Sequence, residues 1–203
     1  MVKPRKTRIK DLRRTELLAA AHRVFMAQGL GGLTTARICD EAGMSPGILS
    51  YYFGGKDEVL FGVVRLNNRM LMEDVVLRLA TARTRWDRLE AIIEGNFPPG
   101  AFERNVANAW LSVCAASNGS VNFARLQRIF YRRLRSNLAS VFGGCVAADQ
   151  FEPLVMVIGT MIDGLWLRKS AGEVLGRDHA VDLLRGVILA LLSAQDVAAL
   201  RQG

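Results

Sequence analysis

Residues 34–56 read TTARICDEAGMSPGILSYYFGGK, and the caps and breakers in this stretch predict two short helices around a tight turn. Thr34 supplies a side-chain oxygen at a helix start, directly after the Gly-rich GLGGL of 29–33. Residues 36–42 then carry one helix, with Ile38 and Ala42 four apart on its inner face. Gly43 ends it, as a residue that tolerates positive φ at a helix C-terminus. Ser45 is placed to cap the next helix, and Pro46 sits at the first helical position, where its missing N–H costs nothing. The second helix is PGILSYYF. Two short helices joined by a Gly-containing turn of about three residues form a helix-turn-helix. The second helix carries small residues, hydroxyls and two tyrosines where a surface helix normally carries Glu and Lys, which suits contact with a polyanion.

Upstream, residues 11–28 hold Leu12, Leu17, Leu18, Ala21, Val24 and Phe25 at helical spacing, closed by Gly29. Phe25, Leu17, Ile38, Ile48, Leu49 and Phe53 are therefore the expected core of a three-helix head, with Ile48 free either to pack inward or to face out. Residues 1–10, MVKPRKTRIK, read as a solvated basic arm able to meet phosphate. Downstream, Asp57 and Glu58 suit the positive end of a long helix over about 57–82, roughly 38 Å at 1.5 Å per residue. The chain divides accordingly into a DNA-binding head, 1–56, and a helical regulatory and dimerisation body, 57–203.

Within the body, helices are expected over 86–97, stopped by Pro98-Pro99-Gly100, and over 101–117, 121–142, 149–170 and 178–194. The fold class is all-α, with about nine helices. The last two are apolar round most of their circumference, through Leu154, Ile158, Ile162 and Leu165 on one and Val181, Leu184, Ile188 and Leu191 on the other. Such helices need cover on several sides. A second copy of the chain, packed as a four-helix interface with two-fold symmetry, would supply it.

Charge follows the same division. The chain has 203 residues and a net charge of +8, and its first 56 residues hold ten Lys and Arg against four Asp and Glu. The basic excess thus sits mainly in the head, as expected for phosphate binding. Three widely spaced cysteines, Cys39, Cys114 and Cys145, suggest neither a disulfide framework nor a metal cluster and fit a reducing compartment. The basic N-terminus lacks an apolar signal core. The longest apolar stretches, 154–162 and 186–194, fall short of the about 20 residues that span a bilayer. A cytoplasmic protein without membrane contact is expected.

The pattern GLxxLTT followed by ICDEAGMSPGILSYYFGGKDEVL, within residues 12–60, resembles the tetracycline-repressor (TetR) family of bacterial regulators. The segments GNF at 95–97, AWL at 109–111, RLQ at 125–127 and IDGLWLR at 162–168 are similar to the choline-responsive, BetI-type branch of that family. The resemblance implies a homodimeric repressor that binds double-stranded operator DNA and is released by a small-molecule inducer. Choline or a related quaternary ammonium compound is the inducer it suggests. After residue 111 the chain departs from that branch, with Ser112-Val113-Cys114 in place of further aromatics. A different small apolar or cationic ligand thus stays open, as does an architectural DNA binder with no inducer.

The residues assign roles within this reading. Pro46, Gly47, Ile48, Ser50 and Tyr51 would meet the major groove and its phosphates: Gly47 permits close approach, Ile48 suits a thymine methyl, Ser50 a base edge and Tyr51 a phosphate. Thr35 and Arg37 can reach phosphate or a neighbouring base, Lys56 adds a point charge beside the backbone, and Tyr52 serves either as core or as a phosphate contact. In the body, Phe97, Trp110, Phe130, Tyr131 and Trp166 are aromatics on separate helices, and Asp163 is an isolated acid in an apolar run. Aromatic faces and one carboxylate make a cage for a quaternary ammonium. The alternative is that Asp163 pairs with an arginine such as Arg168 while the tryptophans are core. His22 and His179 lack metal-ligand spacing, and no G-x-S-x-G, phosphate loop or H-E-x-x-H is present, so no catalytic residue, metal or cofactor is expected.

Overall fold

A computed structural model describes residues 5–116 and 121–202, the side chains of residues 5–8, Lys56, Val113 and Ala116 excepted. Among the described residues there are ten helices and no strand: α1 (Arg5–Gly32), α2 (Thr35–Glu41), α3 (Gly47–Tyr52), α4 (Lys56–Thr81), α5 (Arg85–Gly95), α6 (Arg104–Ala116), α7 (Val121–Phe142), α8 (Ala148–Ser170), α9 (Arg177–Leu191) and α10 (Ala194–Gln202).

α1 begins earlier than expected. Residues 5–10 of the basic arm are helical, not an extended tail, because Lys and Arg are good helix formers and nothing before Gly29 interrupts the turn. Residues 1–4 of the arm lie outside the described residues. At Gly29 φ is 66°, a left-handed backbone that breaks α1 where the glycine predicted it. Thr34 caps α2 by accepting from the Arg37 amide at 3.4 Å, and Gly43 turns the chain at φ 63°. The start of α3 differs in detail. Pro46 itself occupies the cap, the Ile48 amide donates to the Ser45 carbonyl at 3.0 Å, and no side-chain cap bond forms.

Leu17, Phe25, Ile38, Leu49 and Phe53 are buried together, with Ile48 half-buried beside them. Val59 and Val63 of α4 join this core, and so does Ala109 of α6. α4 is anchored at its start by Glu58, whose carboxylate accepts the Gly54 amide at 2.7 Å and pairs with Arg14 of α1 at 2.8 Å. These contacts hold the carboxyl of Glu58 below its ordinary range, the Gly54 amide contributing most.

α5 starts with a reciprocal cap. The Thr84 hydroxyl accepts the Asp87 amide, and the Asp87 carboxylate accepts the Thr84 amide, both at 3.0 Å. α4 and α5 approach so closely that a Cβ on Gly95 would lie 2.4 Å from Val75 Cγ2. The body core gathers Leu89, Ile92, Phe142, Ile158, Ile162, Leu184 and Ile188.

The tenth helix was not expected. Ser193 and Asp196 form a second reciprocal cap, at 3.1 and 2.9 Å, after Leu192 has left helical geometry. This restart lays Leu200 into the body core and sets Arg201 over the Trp86 ring at 5.0 Å.

On the outside, α8 exposes Met156, Val157 and Leu167, and α9 exposes Leu183 and Leu191. With Thr160 and Gly164 on α8 and Gly186 on α9, they make an uncovered apolar and small-residue stripe along both helices. Among the described residues no single helix is long and apolar enough to cross a membrane.

Candidate functional site

In the head, Thr35, Arg37, Pro46, Gly47, Ser50 and Tyr51 are all exposed on α2, α3 and the turn between them. Tyr51 is 70% exposed. Its ring stands edge-on to Tyr52 with centroids 5.0 Å apart, and Lys10 lies over it at 5.6 Å. α1 thus delivers a cation beside the tyrosine, which no local reading of α3 could have found. A side chain on Gly47 would meet nothing within 4 Å, so the surface before it is open. Tyr52 and Ile48 are half-buried against the head core, and Phe53 is fully inside. The side chain of Lys56 lies outside the described residues. Cys39 is buried and its thiol donates to the Pro46 carbonyl at 3.8 Å, a structural contact that ties α2 to the start of α3.

In the body, a cavity of about 50 Å³ lies between α4, the end of α5 and the inner faces of α6, α7 and α8. Trp110, Phe130, Asp163 and Trp166 line it. Trp110 and Phe130 sit 5.5 Å apart at 55°. Two of the expected aromatics are placed differently. Phe97 is fully buried beneath the cavity, edge-on to Phe102 at 5.1 Å and stacked on Trp166 at 6.5 Å, so it supports the wall without facing the space. Tyr131 lies outside the wall, and its hydroxyl donates to Asp163 Oδ2 at 2.5 Å.

Asp163 forms no ion pair among the described residues. Arg168, the partner weighed from the sequence, pairs instead with Glu173 at 2.9 Å. Burial holds the Asp163 carboxyl above its ordinary range, against the opposing pull of the Tyr131 hydrogen bond. Burial also raises the Tyr131 phenol to about 12 and the Cys114 thiol to about 11. The cavity therefore presents one carboxylate, uncompensated by any cation, among aromatic faces. Aromatic faces and a carboxylate are groups suited to holding a small organic cation.

Sequence reasoning missed α4. Asn67, Asn68, Leu71 and Met72 line the cavity, and paired asparagines in mid-helix, where propensity disfavours them, were the available signal. These residues also connect the cavity with the head. Asn67 lies near His22 of α1, whose pKa is lowered chiefly by burial and raised in part by Asn67. On the opposite wall, Asn105 of α6 donates to the Met26 carbonyl of α1, one residue before the cavity-lining Val106.

Residues 17–63 match the model of bacterial regulatory proteins of the tetR family, and residues 86–193 match the C-terminal domain of BetI-type transcriptional repressors. The HTH-type transcriptional regulator BetI of Brucella suis (strain ATCC 23445 / NCTC 10510) is 35% identical over 191 residues, covering 94% of this chain and 96% of its own. Among solved structures, a transcriptional regulator from Saccharomonospora viridis in complex with choline superposes with a TM-score of 0.74 at 22% identity, over 87% of this chain and 95% of its own. A transcriptional regulator from Rhodococcus sp. Rha1 gives 0.71 at 22% identity, over 87% and 96%. These two likenesses establish the fold.

Proposed function

The chain belongs to the TetR family, as a BetI-type transcriptional repressor and not an enzyme, and from that premise we propose that a small quaternary ammonium compound of the choline type releases it from its operator. Regulators of this family bind operator DNA, typically as dimers. The observation that carries the inducer class is Asp163, a carboxylate without a cationic partner on the wall of an aromatic cavity. The choline held by the Saccharomonospora viridis neighbour supports the same class.

In this reading the head, residues 1–56, meets DNA through Thr35, Arg37, Pro46, Gly47, Ser50 and Tyr51. Ile48 and Tyr52 belong to the same face, and Lys56 is expected to add a charge beside the DNA backbone. The body, 57–203, holds the ligand through Trp110, Phe130, Asp163 and Trp166, with Tyr131 orienting the carboxylate and Phe97 backing Trp166. The exposed stripes of α8 and α9 meet their two-fold copies, placing two heads over two half-sites about 34 Å apart or a multiple of that. The protein acts where the chromosome is, in the cytoplasm.

A cation entering the cavity draws on α4, where Asn67 lies near His22 of α1, and on α6, which is bonded to α1 through Asn105 and the Met26 carbonyl. A shifted α1 carries the head with it, and the ligand moves the equilibrium only as far as it prefers the shifted state. Titration calorimetry with choline, paired with operator binding at matched concentrations, tests the reading. Heat of binding with Kd below about 1 mM and loss of operator affinity are expected. Operator binding indifferent to choline and to other quaternary amines would overturn the inducer class.

A further inference from the structure

A second hollow, of about 260 Å³, lies between α4 and α7. It shares Asn68, Met72 and Phe130 with the cavity that holds Asp163. The two spaces therefore adjoin at these side chains, which on swinging aside would make the outer one a mouth to the inner. Their chemistry is opposite. Arg65, Arg69 and Arg133 stand round the mouth, over an apolar floor of Leu126 and Ile129.

None of the three arginines pairs with a carboxylate among the described residues. Elsewhere on the body Arg78, Arg135, Arg177 and Arg185 each do. Arg65 and Arg69 are one turn apart on α4, a like-charge spacing that is unfavourable unless something neutralises it. Glu73, a turn further along α4, is not seen in an ion pair among the described residues. Arg125, Arg128 and Arg132 on α7 are also without carboxylate partners among the described residues and deepen the positive potential.

A plain cation such as choline would have to pass this mouth and sit behind it with its charge unscreened from the guanidiniums. A molecule with a quaternary ammonium at one end and an anion at the other answers both halves. Its cation meets Asp163 and the aromatic faces, and its carboxylate or phosphate takes paired N–H bonds from the arginine fork.

We infer that the cavity of Asp163 and the arginine mouth of Arg65, Arg69 and Arg133 form one elongated site for a zwitterionic quaternary ammonium compound, bound in preference to choline. The inference rests on the reading of the inner cavity as a cation site, and the test separates the two. Titration calorimetry on the full-length protein compares choline with phosphocholine and with 4-trimethylammoniobutanoate, which carry the same cation with a phosphate or a carboxylate arm. The same titrations are run on Arg133→Gln and on Arg65→Gln/Arg69→Gln, three exposed positions whose replacement leaves the core untouched.

At least one zwitterion is expected to bind about 10-fold more tightly than choline, and the tighter of the two identifies the anion. In either arginine variant that advantage falls to within about 3-fold, choline binding stays level or improves, and added salt erodes the wild-type advantage as it screens the mouth. Choline bound as tightly as both zwitterions overturns the inference and leaves the cation site standing. An advantage that survives in both variants overturns it as well, and so does a loss confined to operator affinity, which would make the arginines phosphate contacts of DNA. Absence of binding by all three compounds overturns the cation site and the inference together.

Discussion

The hydroxyl of Tyr131 on α7 donates to Asp163 Oδ2 on α8 at 2.5 Å across 32 residues of chain, and it is the hydrogen bond that Asp163 has in place of a salt bridge. Because burial outweighs this bond, the Asp163 carboxyl titrates above its ordinary value of 3.8. A raised folded-state pKa means that its contribution to stability is complete below the unfolded value and is lost as pH rises through the folded value. Asp163→Asn should therefore melt up to about 2 °C higher than the wild type at pH 7, with the difference closing below about pH 4. The same substitution should weaken binding of quaternary ammonium ligands at least about 10-fold, the loss expected for an ion pair in a partly desolvated aromatic site. Melting curves across pH and calorimetry check both halves. A variant that is less stable at neutral pH would contradict this account of the carboxylate.

Tyr51 is mostly exposed and lies beneath Lys10. Tyr51→Ala should leave the melting temperature within about 1 °C, since exposed positions change stability by no more than about 0.5 kcal/mol. It should reduce operator affinity about 10-fold. Arg37→Ala should lower operator affinity and reduce the slope of log affinity against log salt by about 1. Fluorescence anisotropy at several salt concentrations provides both readings.

Glu58 joins the Gly54 amide and Arg14 at the start of α4, and its pKa lies below the ordinary 4.5. A depressed folded-state pKa makes its contribution present above the unfolded value and lost as pH falls through the folded value. The protection of the 54–60 amides, taken relative to the intrinsic exchange rate at each pH, should fall as pH drops below 4.5 in the wild type. Glu58→Gln should show the lower protection already at pH 7, with little further change in acid.

Asn105 binds the Met26 carbonyl, and its helix lines the cavity one residue later. Asn105→Ala should cost about 1 kcal/mol, the usual worth of such a bond. Ligand affinity should change by less than about 3-fold, while the ratio of operator affinities with and without ligand falls markedly. Loss of ligand binding in equal proportion would make Asn105 a pocket residue instead.

Met156 and Leu183 are exposed on α8 and α9. Placing a charge there, as in Met156→Lys or Leu183→Glu, should move sedimentation from dimer towards monomer. Operator affinity should then fall by at least about 100-fold, because each head reads one half-site alone. Helical content should be unchanged.

The head was legible in the sequence because its signals are local: Thr34, Gly43 and the alternation of Ile38, Cys39 and Leu49 each act within a turn or two. Helix ends in the body were legible where Pro98-Pro99 or Gly143-Gly144 stops the chain. α10 was lost because an apolar run masks the break at Leu192, although Ser193 and Asp196 spell out the cap. The cavity was only half legible. Which face of a 26-residue helix turns inward is decided by its neighbours, so Asn67 and Asn68 went unseen. Phe97 was grouped with the ligand aromatics, but the turn after α5 folds it beneath Trp166, where the Arg177 guanidinium holds its carbonyl at 2.7 Å.

Ala109 belongs to the middle of α6 yet lies within the core of the head, together with Val59 and Val63. Recombination that exchanges heads between regulators by splicing at residue 56 would leave that core open on one side and bury a foreign residue against the other. Compatible chimaeras need the first two turns of α4 from the head's parent and an alanine-sized residue at 109 from the body's. Sensor and reader in this chain thus share one packed core, and Ala109 is a place where a change in either is felt by the other.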